Sequence, residues 1–387
     1  MLERCWSNYG LSRAQRRLPV LCTLALVVLA LVAAGCGGDD SGASKDSGGS
    51  ADKAEKTLKV SSLHLGTLEN HFAQAASEGI KDAAAKTDGV DVDLVTGVDF
   101  NQQAGQTADQ LLTRGADVVI DNLTLGDILN KACEKHADAI CLTQLAWDGR
   151  GTNVGGWYPD SPQAYYVEGV AGGLLTKTNT VGFIGTFAQN YEFANINSVA
   201  LGCQAVNPDC EVRVVYINSF YDPAKANEAA NTLIDAGADV LYSYESDPAH
   251  VKVAQKRGAR AFGQYLDETE SGPDAIVTSM LAQPAHTAYL SRTFAAIKDG
   301  SYKIAFEDIG FDKGLELAPW NANVPADVVE KADAVKKQFA DGKSEEVYSG
   351  PIYDQKGELK LKKGESLDDH YRITSWDYLV KGVIAGQ

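Results

Sequence analysis

The sequence predicts an α/β protein made of two similar lobes, each built around a doubly wound parallel sheet. The first observation is an internal repeat, in which residues 100–141 recur as residues 222–263. Each copy also reads as helix, strand, helix and strand, with a glycine closing the first helix. The first strand of each copy is a short apolar run with little alternation, as expected of strands covered on both faces. The matched positions lie 122 residues apart (237 − 115): Leu111, Gly115, Ala116, Asp117 and Val118 match Leu233, Gly237, Ala238, Asp239 and Val240.

The repeat also indicates where a ligand would bind. In doubly wound sheets, ligands bind beyond the carboxyl ends of the strands. These ends carry residues 121–124 in the first copy and residues 243–246 in the second, so that Asn122 and Tyr244 occupy matching positions. If the two lobes face each other, the two segments form the walls of one cleft.

The first lobe begins before the repeat with a strand that alternates apolar and polar residues. A helix with apolar residues at helical spacing runs to Lys86, and the repeat then adds two strands and a helix over residues 125–136. A strand that ends at a proline turn completes the series. The strands predicted for this lobe cover residues 57–65, 91–95, 117–120, 139–142 and 153–158.

The second lobe begins with a helix over residues 163–176, whose several glycines indicate close packing near the passage between lobes. A strand over 275–280 and a helix over 285–298 are predicted to return to the first lobe. The resulting boundaries assign residues 57–160 with 267–305 to lobe 1, and residues 161–266 with 306–387 to lobe 2. The strands predicted for lobe 2 cover residues 180–185, 212–217, 239–242 and 261–263.

The N-terminal segment predicts export. Three arginines precede an apolar run over residues 18–34, and small residues then lead to Cys36. Residues 1–35 therefore resemble a bacterial lipoprotein signal peptide, after which an acylated Cys36 would hold the protein to the outer face of the cell membrane. The alternative is a spanning helix, since the run is only slightly short of about 20 residues. Residues 36–56 are Gly-, Ser- and Asp-rich and are predicted to form a flexible tether.

The charge excludes one class of partner. The formal net charge is −17, and removing residues 1–35, which carry four Arg and one Glu, gives −17 − 3 = −20. A nucleic-acid-binding surface needs clustered Lys and Arg to neutralise phosphates. We therefore expect no nucleic-acid partner.

Four cysteines remain after the signal peptide and Cys36 are set aside. Cys133 and Cys141 are eight residues apart, and Cys203 and Cys210 are seven apart. In an exported chain this spacing favours two local disulfides. A zinc site would require Cys-x-x-Cys spacing, which is absent from the sequence.

Enzymatic motifs are missing from the sequence. It contains no Gly-x-Ser-x-Gly elbow, no His-Glu-x-x-His helix and no phosphate loop ending in Gly-Lys-Ser/Thr. Its six histidines are scattered, so none is favoured as a catalytic base. We predict a solute-binding protein without catalytic residues, cofactor or metal.

Several stretches make the chain similar to the basic membrane protein family, the PnrA-like substrate-binding lipoproteins of ABC transporters. The resemblance implies the type I periplasmic-binding-protein fold, a purine ligand, and partnership with a membrane permease and its ATPase. It favours the branch that binds purine bases; a nucleoside-binding protein, or a ligand-sensing lipoprotein for a receptor, remains an alternative. The matching stretches are residues 166–172, 176–184, 220–225, Gly-Ala-Asp-Val at 237–240, Phe-Gly-Gln at 262–264, and residues 272–273, 350–355 and 364–369.

The resemblance also implies aromatic ligand contacts. In the family, an aromatic residue that opens the first helix stacks on the base, and Phe72 holds that position; alternatively, it is a core residue. Phe187, in the corresponding loop of lobe 2, would be its partner or would pack beneath that loop. Trp157, Tyr191 and Tyr244 are further candidates.

Polar candidates determine the choice between base and nucleoside. Nucleoside-binding members place an Asp two residues after the glycine that corresponds to Gly263, whereas here Gln264 and Tyr265 follow. The missing carboxylate favours a free base over a nucleoside. The amides of Gln264 and Asn122 match both donors and acceptors of a purine edge. Asp267 would orient Gln264, contact a base N–H, or cap the next turn.

Overall fold

The computed structural model describes residues 56–99, 101–122, 125–144 and 151–386. The predicted signal peptide, Cys36 and all of the tether except Lys56 lie outside the described residues. Within those residues, no helix combines the length and the apolar character that crossing a membrane requires.

Two sheets organise the chain. The first lobe opens with β1 (Leu58–Leu65), α1 (His71–Ala85), β2 (Val90–Val98), α2 (Gln102–Thr113), β3 (Val118–Asp121), α3 (Asp127–Cys133), β4 (Ile140–Gln144) and β5 (Val154–Pro159). The second lobe follows with α4 (Ser161–Leu175), β6 (Thr180–Gly185), α5 (Asn190–Val206), β7 (Glu211–Tyr216), α6 (Pro223–Asp235), β8 (Val240–Ser243), α7 (Ala249–Arg257), β9 (Arg260–Gly263) and β10 (Ile276–Leu281).

The chain then returns to lobe 1 for α8 (Ala282–Asp299) and β11 (Phe306–Ile309). The remainder belongs to lobe 2, where β15 joins the edge of the sheet beside β7. Its elements are β12 (Glu316–Leu317), α9 (Ala326–Ala340), α10 (Ser344–Val347), β13 (Ile352–Tyr353), β14 (Leu359–Leu361), α11 (Asp369–Thr374) and β15 (Val383–Ala385).

The two sheets have the same strand order. The first is β2-β1-β3-β4-β5-β11, and the second, apart from β15, is β7-β6-β8-β9-β10-β12. Within these two sheets, all strand pairs are parallel except the one between β10 and β12. The repeat therefore corresponds to a structural duplication, and Gly115 and Gly237 follow α2 and α6 with φ values of +93° and +101°. Glycine adopts this left-handed conformation without a steric penalty, as predicted.

The lobe boundaries differ from the sequence-based ones at two strands. β10 pairs with β9 and lies in the second sheet, although residues 275–280 were expected in lobe 1. β11 pairs with β5 and lies in the first sheet, although residues from 306 onward were assigned to lobe 2. The sequence repeat ends before both strands, so it carried no signal for their placement. The chain still passes between the sheets three times, as predicted: after β5, after β10 and after β11.

Glycines on α4 bring it close to α5. A Cβ on Gly169 would lie 2.6 Å from the carbonyl oxygen of Val199, and one on Gly173 would lie 2.7 Å from that of Cys203. Larger residues would force the two helices apart. α4 also begins directly after the first passage between sheets, where the glycine-rich helix was expected.

The two predicted cysteine pairs are brought together. The Cα atoms of Cys133 and Cys141 lie 6.3 Å apart, and those of Cys203 and Cys210 lie 6.0 Å apart. Both separations are within the range of disulfide-linked residues.

Candidate functional site

The carboxyl ends of the strands in both sheets meet at the junction of the lobes. α1 begins there, capped by Asn70, whose side chain accepts a hydrogen bond from the backbone N–H of Ala73. The next residue, His71, reaches across to the other lobe. Its backbone N–H donates to the carbonyl oxygen of Ser246 over 3.1 Å, and its Nδ1 lies 2.9 Å from Glu268 Oε1. The lobes are therefore in direct polar contact where the cleft was predicted.

An aromatic cluster fills the centre of this junction. The ring of Phe72 meets that of Tyr265 edge to face, with centroids 5.4 Å apart. Tyr265 in turn lies 6.1 Å from Tyr244, which lies 5.8 Å from Tyr191. The Tyr244 hydroxyl is 3.4 Å from that of Tyr158 in lobe 1. The structure thus brings together three predicted residues: Phe72, Tyr191 and Tyr244.

Tyr265 was not predicted as a ligand contact. Its φ is +71°, a conformation that non-glycine residues rarely adopt. Because this turn redirects the chain after β9, the Tyr265 ring points to Phe72. Nothing in the sequence distinguishes it from an ordinary tyrosine, since its position depends on that turn.

Phe187 lies in a separate part of the cleft. It is half-buried, and its ring contacts exposed Phe220 with centroids 4.9 Å apart. Its loop is held by Glu192, whose carboxyl accepts hydrogen bonds from Thr186 Oγ1 at 2.7 Å and from the Phe187 backbone N–H at 2.9 Å. Burial raises the pKa of Glu192 to about 7, although these hydrogen bonds oppose that shift. The described residues show no direct contact between Phe187 and Phe72.

The two predicted amides are both buried. Asn122 is 1% exposed, and its Nδ2 donates to Ser62 Oγ at 2.7 Å and to the Leu63 carbonyl oxygen at 3.2 Å. Gln264 is also 1% exposed. Within the described residues, Asn122 Oδ1 and both amide atoms of Gln264 have no hydrogen-bond partner. A buried polar group left unpaired costs about 1–3 kcal/mol, so these atoms are suited to meeting a bound molecule.

Trp157 and Asp267 have other contacts. Trp157 is fully buried in the core of lobe 1, where its ring stacks on Tyr289 with centroids 4.9 Å apart. Its Nε1 donates to His286 Nδ1 over 2.9 Å. Asp267 is exposed, and its Oδ1 accepts from the N–H and hydroxyl of Thr269. Of the three roles expected for Asp267, these contacts correspond to capping.

Two buried carboxyl groups lie close to each other near the junction. Glu268 is 3% exposed and Glu168 is fully buried. Among the described side chains, neither Glu268 Oε2 nor either carboxyl oxygen of Glu168 finds a hydrogen-bond partner. Burial, with a smaller contribution from nearby Glu268, raises the pKa of Glu168 well above its usual value. Burial therefore favours the neutral form of the Glu168 carboxyl group, which can donate a hydrogen bond.

Comparison with known proteins agrees with this architecture. Residues 58–340 match the family described as "ABC transporter substrate-binding protein PnrA-like". A purine-binding protein of Brucella abortus is 35% identical over 219 residues, which cover 56% of this chain and 61% of that protein. An ABC transporter protein of Haloferax volcanii, whose name gives glucose as its proposed ligand, is 27% identical, with 68% of this chain and 65% of that protein covered. The matched regions thus span under two thirds of each relative.

A solved structure shows the same fold. A solute-binding protein of an ABC transporter system from Conexibacter woesei superimposes with a TM-score of 0.61 at 23% identity, covering 74% of this chain and 97% of that protein. Similarity at this identity shows the fold alone. The family match, in contrast, covers most of the chain from β1 to α9. The chain therefore belongs to the family of PnrA-like ABC transporter substrate-binding proteins.

Proposed function

We propose that the protein binds a purine nucleobase between its lobes and delivers it to a membrane permease driven by a cytoplasmic ATPase. The observation that carries the proposal is the combination at the lobe junction of aromatic rings with buried, unpaired amides. Phe72, Tyr265 and Tyr244 offer ring faces and edges to a flat heterocycle. Asn122 and Gln264 offer polar atoms to its rim. The purine-binding relative supports the same ligand class.

The energy available is sufficient for tight binding. A micromolar dissociation constant requires about 8 kcal/mol. Stacking of a base on an aromatic side chain contributes about 1–3 kcal/mol per ring. Pairing a buried amide that is otherwise unsatisfied removes a penalty of about 1–3 kcal/mol. Two stacked rings and several amide contacts reach the required total when the closed lobes exclude water.

A free base fits better than a nucleoside. Gln264 and Tyr265 stand where nucleoside-binding members would have an Asp for the ribose hydroxyls. The first carboxylate after Tyr265 in the sequence is Asp267. Its side chain is exposed and caps a turn at Thr269. The buried groups near Gln264 are aromatic rings and the carboxyl group of Glu268, whose Oε1 contacts His71 Nδ1. The Gln264 amide and the rings suit a base.

The N-terminal segment supports delivery at a membrane. Acylation of Cys36 after removal of residues 1–35 would anchor the body, and about twenty tether residues would let it move roughly 25 Å from the surface. Two local disulfides are consistent with an exported protein.

Isothermal titration calorimetry of the purified body tests the ligand. Adenine, guanine, hypoxanthine and xanthine would be compared with inosine, guanosine, glucose and a mixture of amino acids. We expect one or more bases to bind with micromolar or tighter affinity and nucleosides to bind more weakly. Tighter binding of a nucleoside would overturn the choice of base, and a response to glucose alone would overturn the purine assignment.

A further inference from the structure

Four side chains on neighbouring strands form a row across the first sheet: His64, Asn122, Gln144 and Trp157. β3 and β4 pair with Asp121 opposite Thr143, so the next residues, Asn122 and Gln144, stand side by side. Gln144 is paired in register with Trp157 on β5. On the other side, β1 pairs with Leu63 opposite Asp121, which places His64 beside Asn122. All four side chains are buried, and those of His64, Asn122 and Gln144 lie at the carboxyl ends of their strands.

The row faces α1 and α8. Ile120 and Leu142, two residues before Asn122 and Gln144, belong to the apolar cluster that also contains Trp157 and packs against Phe72. Side chains two residues apart on a strand share a face. The row therefore lies on the same side of the sheet as the aromatic ring proposed to stack on the base.

His286, on α8, contacts both Trp157 and Gln144, and the direction of its hydrogen bonds is fixed. An indole N–H can only donate, so His286 Nδ1 must accept from Trp157 Nε1. Burial, reinforced by neighbouring His64, lowers the pKa of His286 to about 3, so that the ring is neutral. A neutral imidazole carries one proton, and here it must be on Nε2. His286 Nε2 is therefore a donor.

The orientation of the Gln144 amide follows from that donor. The Gln144 amide, as oriented in the structure, places its Nε2 3.4 Å from His286 Nε2. Two donors cannot face each other, and an amide can be turned over without moving its heavy atoms. The favoured arrangement directs Gln144 Oε1 to His286 and its NH₂ to the position of the amide atom that has no partner in the described residues.

Asn122 has the opposite polarity. Its NH₂ faces the Leu63 carbonyl oxygen, which can only accept, so its Oδ1 is the atom left unpaired. Neighbouring strands lie about 4.8 Å apart. Lobe 1 therefore presents an acceptor from Asn122 next to a donor from Gln144, and neither can exchange roles without breaking a buried hydrogen bond.

We infer that Gln144 is a further ligand-binding residue, whose NH₂ donates to a ring or carbonyl acceptor of the base while Asn122 Oδ1 accepts from a neighbouring N–H. This inference rests on the proposed purine site. His286 is a positioning residue: it touches Gln144 and fixes the direction of its amide. The row therefore recognises a heterocycle edge with a donor and an acceptor side by side, and holds it in one orientation.

Gln264 occupies the equivalent position in lobe 2. Leu241 pairs with Ala261 as Val119 pairs with Cys141, and three residues further lie Gln264 and Gln144. Among the described residues, no hydrogen bond of standard geometry holds the Gln264 amide, and its neighbour is the Tyr265 hydroxyl, which can donate or accept. The Gln264 amide of lobe 2 can therefore turn to suit the ligand. In lobe 1, the acceptor of Asn122 and the donor of Gln144 are fixed.

Two variants of Gln144 test the inference by calorimetry with adenine and hypoxanthine. Gln144→Met removes the donor, and Gln144→Glu replaces it by an acceptor while keeping an oxygen for His286. At pH 8 we expect both variants to bind the better of the two bases ten- to a hundredfold more weakly than wild type. At pH 5.5, where a buried carboxyl can take up a proton and donate, Gln144→Glu should recover part of the loss. Gln103→Glu, on the exposed face of α2, is the control for added charge.

The outcomes separate the inference from the proposed function. If Gln144→Glu binds like wild type at pH 8, the amide presents its oxygen to the ligand and the inference is overturned. Wild-type affinity in both variants would also overturn it, while purine binding by wild type would leave the proposed function standing. If wild type binds no purine base, the proposed function fails and the inference falls with it. Thermal unfolding of each variant shows whether a loss of affinity comes from misfolding. If Gln144→Glu misfolds because of its added charge, the uncharged Gln144→Met still tests the inference.

Discussion

Arg372 and Asp160 form a buried bidentate ion pair, although 212 residues separate them in the sequence. Arg372 Nη1 and Nη2 lie 2.6 and 2.7 Å from the two carboxylate oxygens of Asp160. Asp160 sits at the first passage between lobes, and Gln163 Nε2 also donates to it. Gln163 Oε1 accepts from the Phe311 N–H at the third passage. Arg372 thus ties the C-terminal segment to the first connection between lobes, and Gln163 ties that connection to the third.

Replacing Arg372 should destabilise the fold strongly. Arg372→Met leaves the Asp160 carboxylate buried without its cation, which costs about 3–5 kcal/mol. Chemical denaturation monitored by circular dichroism would measure the loss. Arg292→Met is the matched control, because Arg292 pairs with Glu307 on the surface and should contribute about 0–1 kcal/mol. Equal effects of the two substitutions would contradict a structural role for the buried pair.

Removing the ring of Phe72 should weaken ligand binding without unfolding the protein. Phe72 is only half-buried, and its ring meets Tyr265 across the lobe junction. Loss of one stacked face, about 1–3 kcal/mol, predicts roughly ten- to a hundredfold weaker base binding in Phe72→Ala by calorimetry. Tyr353→Ala, at an exposed aromatic residue in the C-terminal hairpin, is the control. An unchanged affinity in Phe72→Ala would leave Phe72 with a packing role only.

Glu192 and Glu245 should stabilise the folded protein less as the pH rises from about 4.5 to 8. Burial raises the pKa of Glu192 to about 7 and that of Glu245 to about 8. Both pKa values lie above the unfolded value, so in this window these two groups bind more protons in the folded state than in the unfolded state. Their contribution is complete below about pH 4.5 and is lost as the pH passes the folded pKa values.

Urea denaturation between pH 4.5 and 9 measures this dependence. Glu245→Gln should flatten the upper part of the curve, because the amide does not titrate. Glu211→Gln, at an exposed position on β7, should leave the curve unchanged. A Glu245→Gln curve that retains the wild-type slope would refute the assignment.

The two cysteine pairs should be oxidised in the exported protein. Mass spectrometry of non-reduced peptides should find Cys133 linked to Cys141 and Cys203 linked to Cys210. Reduction should lower the free energy of unfolding by about 2 kcal/mol per pair, since each closes a short loop. Free thiols or crossed links would contradict the pairing.

The elements inside the repeat were predictable because each carries a local signal. The strand predicted at 117–120 is β3 at Val118–Asp121, and that at 239–242 is β8 at Val240–Ser243. β10 and β11 lie outside the repeat, so only their pairing partners reveal the sheet to which each belongs.

Part of the candidate site could be proposed from the sequence. Asn122 and Tyr244 follow from their places at strand ends, and Phe72 follows from the family resemblance. The role proposed for Gln144 could not be predicted, because the direction of its amide depends on His286, 142 residues away, and on the indole N–H that fixes the tautomer. Tyr265 reaches the cluster only through a positive φ, which no local pattern announces.

The segment after α9 has a consequence for variation among relatives. The family match ends at residue 340, whereas Arg372 lies beyond it. The ligand contacts proposed above all precede residue 340. Substitutions at Arg372 can therefore alter how firmly the first connection between lobes is held, while every proposed ligand contact stays the same. Relatives that share the same binding residues can in this way differ in the stiffness of the connection between their lobes.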